Sequence, residues 1–409
     1  METQNNKSGF IFVFLTVALD MLSIGIIIPI MPHLVTKLEG GNIANAALIS
    51  GWFGTGWAIA QFFSSPILGS LSDHYGRKPI FLISNFGQGI SFVIGALAPS
   101  IWVLFLSRIL SGIVSGSIST AYAYIADTVE PSNRASKFGI LGAAFGLGFI
   151  LGPAIGGILG ETNLQLPLWL AAITSFVSFV FGLIFLQESL PKDKRTRFTF
   201  AKANPLSTLS FFMENPKIIA LSIVKYLNDI AHIALPATFV LFANYRFGWG
   251  PKRAGMLMMF VGISGVIVQG ALIKRIVGAF GEKKSLYFGL ICGAIGFLGY
   301  GIAASVTMVY ISIGIAALWG VYGASVQAFL TSKISPMEQG RLQGALGSMT
   351  ATAGIFGPPL FSHVFEYSVT KGQLFLLPGT AMILASILIT LSLIWAIIVT
   401  SKEPARIQN

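Results

Sequence analysis

Five ionisable residues stand inside long apolar stretches of this chain: Asp20, Arg108, Lys225, Asp229 and His232. If those stretches cross a bilayer, each charge near mid-membrane costs about 2.5–3.5 kcal/mol on insertion scales and has a reason to be there. Lys225, Asp229 and His232 follow at i, i+4 and i+7, which places them on one helix face. An acid flanked by a base and a titratable imidazole can bind a proton or a polar substrate group. The structural alternative is that Lys225 snorkels to an aqueous face, Asp229 pairs with it, and His232 bonds a backbone carbonyl. Asp20 is suited to carry a proton, because a carboxyl facing a partly dry cavity can take one up and release it. Arg108 can hold that acid ionised or bind an anionic substrate group; a static Asp20–Arg108 pair is the alternative. Gln61 can line the same cavity or act as packing glue between helices. Trp57, Tyr122, Tyr226, Trp319 and Tyr322 can add stacking surface, although most aromatics in such helices simply pack.

The elements that hold these residues follow from composition. Of 409 residues, 54% are apolar and only 10% charged, with mean hydropathy +0.78. That is the profile of a membrane protein, since soluble domains carry about 25% charged residues. A crossing needs about 20 mostly apolar residues. Twelve stretches qualify, near 9–32, 46–70, 78–97, 100–122, 136–160, 165–187, 218–243, 253–275, 284–304, 306–330, 342–365 and 374–400. The chain reads as an all-α membrane protein with two six-helix bundles, 1–187 and 218–409, joined by a linker at 188–217. The linker carries Lys192, Lys194, Arg195, Arg197, Lys202 and Lys217, broken by Pro191, Pro205 and Pro216.

Orientation follows from Lys and Arg. With both termini in the cytoplasm, 19 of the 26 fall on the cytoplasmic side, five outside and two within spans. The bias accounts for the net charge of +11 without nucleic acid. A single cysteine, Cys292, excludes an internal disulfide, and His33, His74, His232 and His363 are scattered, so neither a metal site nor a cofactor is expected. No H-E-x-x-H, G-x-S-x-G or Walker A pattern occurs, which leaves intramembrane enzymes and an ATP-driven pump without support.

The halves match at a constant offset of 205 residues. Gly76–Lys78 corresponds to Gly281–Lys283, Pro131 to Pro336, Gly139 and Gly142 to Gly344 and Gly347, Gly152–Pro153 to Gly357–Pro358, and Glu161 to Glu366. After the second stretch comes Gly69-Ser-Leu-Ser-Asp73-His-Tyr-Gly76-Arg77-Lys78-Pro79. In it Gly69 allows close helix approach, Gly76 allows a tight turn, Asp73 can cap a neighbouring helix, and Arg77 can pair with Asp127. Further on stand Arg108-x-x-x-Gly112 and Gly148-x-x-x-Gly152-Pro153-x-x-Gly156-Gly157. Small residues at that spacing let helices touch backbone to backbone, and the proline bends its helix.

These blocks resemble the signatures of the major facilitator superfamily, whose two six-helix halves rock about a central site. The resemblance implies that the Gly69–Lys78 loop with Asp127 holds a cytoplasmic gate, and that Gly148 to Gly157 is an antiporter motif. Leu19-Asp20, Gly25, Pro29, Pro32, Ile125-Ala-Asp-Thr128, Arg246-Phe-Gly-Trp249 and Glu338-Gln-Gly-x-Leu-Gln-Gly344 further resemble tetracycline-type drug/proton antiporters. That branch carries an acid in the third helix, a histidine in the eighth and an acid in the ninth. Ser91, Gly265 and Gly293 stand there instead. The resemblance therefore implies proton-coupled export of a small molecule, with neither tetracycline nor the branch's usual proton route carried over. Protons would ride on Asp20 or Asp229, and substrate would meet Asp20, Gln61, Arg108, Lys225, Asp229 and His232. Import or exchange of a polar metabolite is the alternative on the same fold. The expected partners are a small molecule, protons and a lipid bilayer; the expected form is a monomer, multi-pass in the cytoplasmic (inner) membrane with both termini inside.

Overall fold

Long apolar runs punctuated by Gly and Pro become helices that stop or break where those residues stand. The computed structural model describes residues 2–196, 198, 210–335, 338–371 and 377–401. The expectations on Arg197, Lys202, Pro205 and Pro336 lie outside them. Sixteen α-helices follow in order: α1 (Glu2–Ile27), α2 (Met31–Leu38), α3 (Ile43–Tyr75), α4 (Arg77–Ala96), α5 (Ile101–Ile113), α6 (Ser117–Thr128), α7 (Pro131–Thr162), α8 (Leu166–Phe185), α9 (Ser210–Glu214), α10 (Pro216–Phe247), α11 (Pro251–Ile267), α12 (Ile273–Gly301), α13 (Val306–Ala317), α14 (Gly320–Ser332), α15 (Gln339–Thr370) and α16 (Thr380–Ser401). No strand occurs among the described residues. Nine helical stretches among them are long and apolar enough to cross a membrane. One of these, Pro251–Gly301, runs 51 residues, far beyond a single crossing, and its backbone turns at Gly281. At 33 and 32 residues, α3 and α15 have the length for a crossing but are not among the nine.

Three of the expected spans are not continuous. The first breaks between α1 and α2, around Pro29. The fourth breaks between α5 and α6, and the tenth between α13 and α14. Broken helices inside a membrane leave backbone groups free, and such groups are tolerated where they line a cavity or are buried in protein. The sequence repeat has a structural counterpart: Gly76 (φ 108°, ψ 170°) and Gly281 (φ 73°, ψ 166°) share the same turn, one that side-chain-bearing residues avoid. A short π-helical turn at Val268–Leu272 joins α11 to α12.

Two compact units result. The first comprises Met1–Asn42, Gly56–Pro205 and Trp249–Met259. The second comprises Ile43–Thr55, Leu206–Gly248 and Phe260–Asn409. In the first, α1 packs along α7, and Val13, Val17 and Met21 close a core with Ala121, Tyr124, Ile125, Leu141 and Ala144. In the second, α10 is packed between α15 and α16.

Candidate functional site

In the first unit, bare glycine backbone on α7 sets the position of α1. A Cβ on Gly152 would lie 2.8 Å from the Gly25 carbonyl carbon, and one on Gly156 would run into the Ile26 carbonyl. Gly148 meets Met21 and Leu22 in the same way. The other side of the stripe seats the first turns of α11, where a Cβ on Gly157 would lie 3.1 Å from the Gly255 Cα. The antiporter-like motif thus has two packing faces, and one presses on the turn of α1 that carries Asp20.

Asp20 is 6% exposed, and neither carboxylate oxygen has a hydrogen-bond partner among the described residues. Ser117 on α6 is the side chain that faces the Asp20 carboxyl. Arg108 on α5 has Nε and Nη2 buried and without partners; its guanidinium sits over the Phe92 ring, 5.7 Å from the centroid. No Asp20–Arg108 ion pair forms among the described residues. The static pair weighed from the sequence is therefore absent among the described residues, and an acid and a base stand orphaned in the first unit. Ser91, at the position of the missing third-helix acid, is fully buried with its hydroxyl also unpartnered. Native proteins leave few buried polar groups unpaired, and each asks for an explanation. Gln61 is different: its Nε2 donates to Ser115 Oγ at 2.9 Å, beside the α5–α6 break, which is the packing-glue reading.

The basic loop between α3 and α4 is assembled as an ion-pair cluster. Arg77 Nε donates to Asp127 Oδ2 at 2.8 Å, and Nη1 donates to Asp73 Oδ1 at 2.6 Å and Ser72 Oγ at 3.1 Å. Two expectations are corrected here. A Cβ on Gly69 would meet nothing within 4 Å, so this glycine does not mark a close helix approach. Asp73, engaged by Arg77, does not cap α4. Glu188, at the end of the chain's first half, does so instead: Oε1 accepts from Arg77 N–H at 2.8 Å and Oε2 from Lys78 N–H at 3.2 Å. The next residues close over the loop. Ser189 Oγ donates to Asp127 Oδ2 and Thr196 N–H donates to the Asp73 carbonyl, while from the other side Lys78 Nζ donates to the Leu183 carbonyl near the end of α8. Glu188 was visible in the sequence as an acid heading a basic linker, but nothing there said what it would meet.

In the second unit, Lys225 Nζ lies 2.5 Å from Asp229 Oδ2 and 2.7 Å from Thr350 Oγ1, and Thr350 donates to Asp229 Oδ2 at 2.6 Å. Lys225 does not snorkel away; it closes a triad whose third member, on α15, the sequence did not single out. The side chains of Lys225 and Asp229 are 20% and 14% exposed, so the pair is partly wet. His232 makes no hydrogen bond to a carbonyl among the described residues; its ring tilts over Trp319 with centroids 5.7 Å apart. Asp229, His232 and Trp319 line a cavity of about 290 Å³. Trp319 is held by Nε1 donating to Asn228 Oδ1 at 2.8 Å, and Asn228 is in turn anchored to Ser392. Tyr322 stacks on Trp319 at 5.6 Å and 15°. Trp57, Tyr122 and Tyr226 do not line this cavity.

The two glycines that replace the branch's polar residues have opposite surroundings. Gly293 lies against the Trp319 indole, so that a Cβ there would be 2.6 Å from Trp319 Cδ1. Gly265 lines the cavity with nothing within 4 Å of its Cβ position.

Comparison with known proteins agrees with this architecture. Residues 13–358 match the profile of the Major Facilitator Superfamily. The chain is 32% identical over 415 residues to tetracycline resistance protein class D of Salmonella ordonez, covering 98% of each. It is 30% identical over 368 residues to the class C protein of Escherichia coli, covering 89% of this chain and 91% of that one. Among solved structures, the human organic anion transporter MFSD10 matches with TM-score 0.71 at 24% identity, covering 96% of this chain and 99% of that one. The nucleoside transporter NupG matches with TM-score 0.75 at 16% identity, covering 97% and 98%. At these identities the two structures speak for the fold alone. The chain is a multi-pass membrane protein and a transporter rather than an enzyme, and it belongs to the Major Facilitator Superfamily.

Proposed function

We propose that this protein exports a small molecule in exchange for protons by alternating access, with its two halves (1–187 and 218–409, joined by 188–217) as the moving bodies. The observation that carries the reading is the pair of orphaned groups in the first unit: Asp20 and Arg108 are held in the interior with unsatisfied polar atoms and are not bonded to each other. A carboxylate kept apart from an available base is free to alternate between proton and substrate, and the base is free to favour its ionised form when the proton leaves. The glycine stripe of α7 fixes the turn on which Asp20 sits. The names of the relatives support export: tetracycline resistance proteins, and a multidrug resistance protein of Bacillus subtilis at 27% identity. Tetracycline need not be the substrate, because Trp319 packs where the branch would place its ninth-helix acid. The Arg77–Asp73–Asp127 cluster serves as the cytoplasmic gate. The protein works as a monomer in the cytoplasmic membrane with both termini inside. Import of a polar metabolite is the competing reading, and the relatives weigh against it.

The test is proton release from purified, detergent-solubilised protein on addition of tetracycline and a panel of drug-like amines. Release on binding, lost in Asp20→Asn, supports the antiport reading. Binding of a compound without proton release at any pH between 6 and 8 contradicts it.

A further inference from the structure

The cavity of the second unit has a composition that selects a ligand, which is a transported molecule only if the protein is the transporter proposed for it. Its walls are aromatic: Trp319 stacked with Tyr322, Phe297 edge-on to Trp319 at 5.4 Å, and Tyr300 behind Phe297. Asp229 is the acid in the wall, and the lining contains no Lys or Arg. Lys225 is outside the lining and is spent on Asp229 Oδ2 and Thr350. Both of those bonds fall on one carboxylate oxygen; Oδ1 accepts no hydrogen bond from the described residues. The negative faces of indole and phenol rings attract a cation and repel an anion. At about 290 Å³ the cavity is at the small end of ligand pockets, which run about 300–1,000 Å³. It lies at the α13–α14 break, the kind of place where membrane transporters bind their cargo.

Two glycines shape this cavity. Gly293 lets the Trp319 ring lie flat against α12, and Asn228 holds its edge in place. Gly265 leaves the opposite wall open.

We propose that this slot binds a small flat aromatic molecule carrying a protonated amine, with the ring against Trp319 and Tyr322 and the amine donating to Asp229 Oδ1. His232, Lys225 and Tyr322 are the other titratable groups facing that carboxylate.

The experiment uses the full chain in detergent and equilibrium binding of radiolabelled tryptamine, an indole with an ethylamine arm. Indole-3-acetate (the same ring with a carboxylate) and cyclohexylamine (an amine without a flat ring) serve as competitors. Saturable tryptamine binding is expected, weakened at least tenfold in Asp229→Asn and in Trp319→Leu, with neither competitor displacing it at equal concentration. Because those two variants touch packed groups, Gly265→Leu is the folding-safe control: its side chain enters the cavity from a site with nothing within 4 Å, so it should fold normally and lose tryptamine. Displacement by indole-3-acetate, unchanged binding in folded Gly265→Leu, or no saturable binding overturns the proposal. Tryptamine binding without proton release would leave this ligand class standing while the antiport reading falls; proton release by other compounds with no tryptamine binding would do the reverse.

Discussion

Gly148 lies flat against Met21, the residue that follows Asp20: a Cβ on Gly148 would fall 2.6 Å from the Met21 carbonyl carbon. The motif glycine and the intramembrane acid are thus parts of one device. The glycine has no catalytic chemistry; it lets α7 hold the turn that presents the carboxylate.

Gly148→Leu should therefore displace α1. Overpacking a close crossing costs about 1–3 kcal/mol. The expected result is a lowered melting temperature in detergent with loss of folded yield, read by size-exclusion chromatography after heating. Gly139→Leu is the matched control on the same helix, since nothing stands within 4 Å of its Cβ position; it should melt like the parent. Equal melting of the two variants would sever the link between the glycine stripe and α1.

Glu188 holds the first two amides of α4. Replacing a carboxylate cap with a neutral group removes a charge-assisted bond at a helix N-terminus, and caps are worth about 0.5–2 kcal/mol. Glu188→Ala should lower thermal stability by that order and expose the segment that closes over the loop, which limited trypsin digestion at Lys192, Lys194 or Arg195 will read as faster cleavage. Unchanged digestion would mean that Glu188 is a bystander.

The Lys225–Asp229–Thr350 triad predicts strong coupling between its charged members. Lys225→Met alone leaves a carboxylate without its cation, and Asp229→Asn alone leaves the ammonium without its anion. Each should destabilise by about 1–3 kcal/mol. The double variant should recover most of the loss, because both charges leave together. Additive losses in a thermal double-mutant cycle would show that the pair contributes no mutual stabilisation.

The pieces legible in the sequence were those whose meaning is local. The Gly76 turn, the small-residue spacing of α7 and the i, i+4, i+7 face of α10 all follow from backbone rules over a few residues. The repeat was legible because identical turns recur 205 positions apart, and Gly281 does adopt the conformation of Gly76. Partners supplied by the tertiary fold were not legible. Glu188 finds Arg77 across 111 residues, and Thr350 finds Asp229 across 121. Asn228 was not singled out in the sequence, and its bond to the Trp319 indole depends on packing that Gly293 makes possible. The reading of Gly69 failed for the same reason: a glycine in a motif reveals nothing about the neighbour until that neighbour is placed.

The most direct test of proton-coupled export is transport in everted membrane vesicles carrying the protein, with an imposed acid-inside gradient and radiolabelled tryptamine or tetracycline outside. Everted vesicles present the cytoplasmic face outward, so export appears as uptake. The account predicts gradient-driven accumulation that collapses on addition of a protonophore and is lost in Asp20→Asn protein of normal yield. Accumulation that ignores the gradient, or that persists in folded Asp20→Asn, would contradict it.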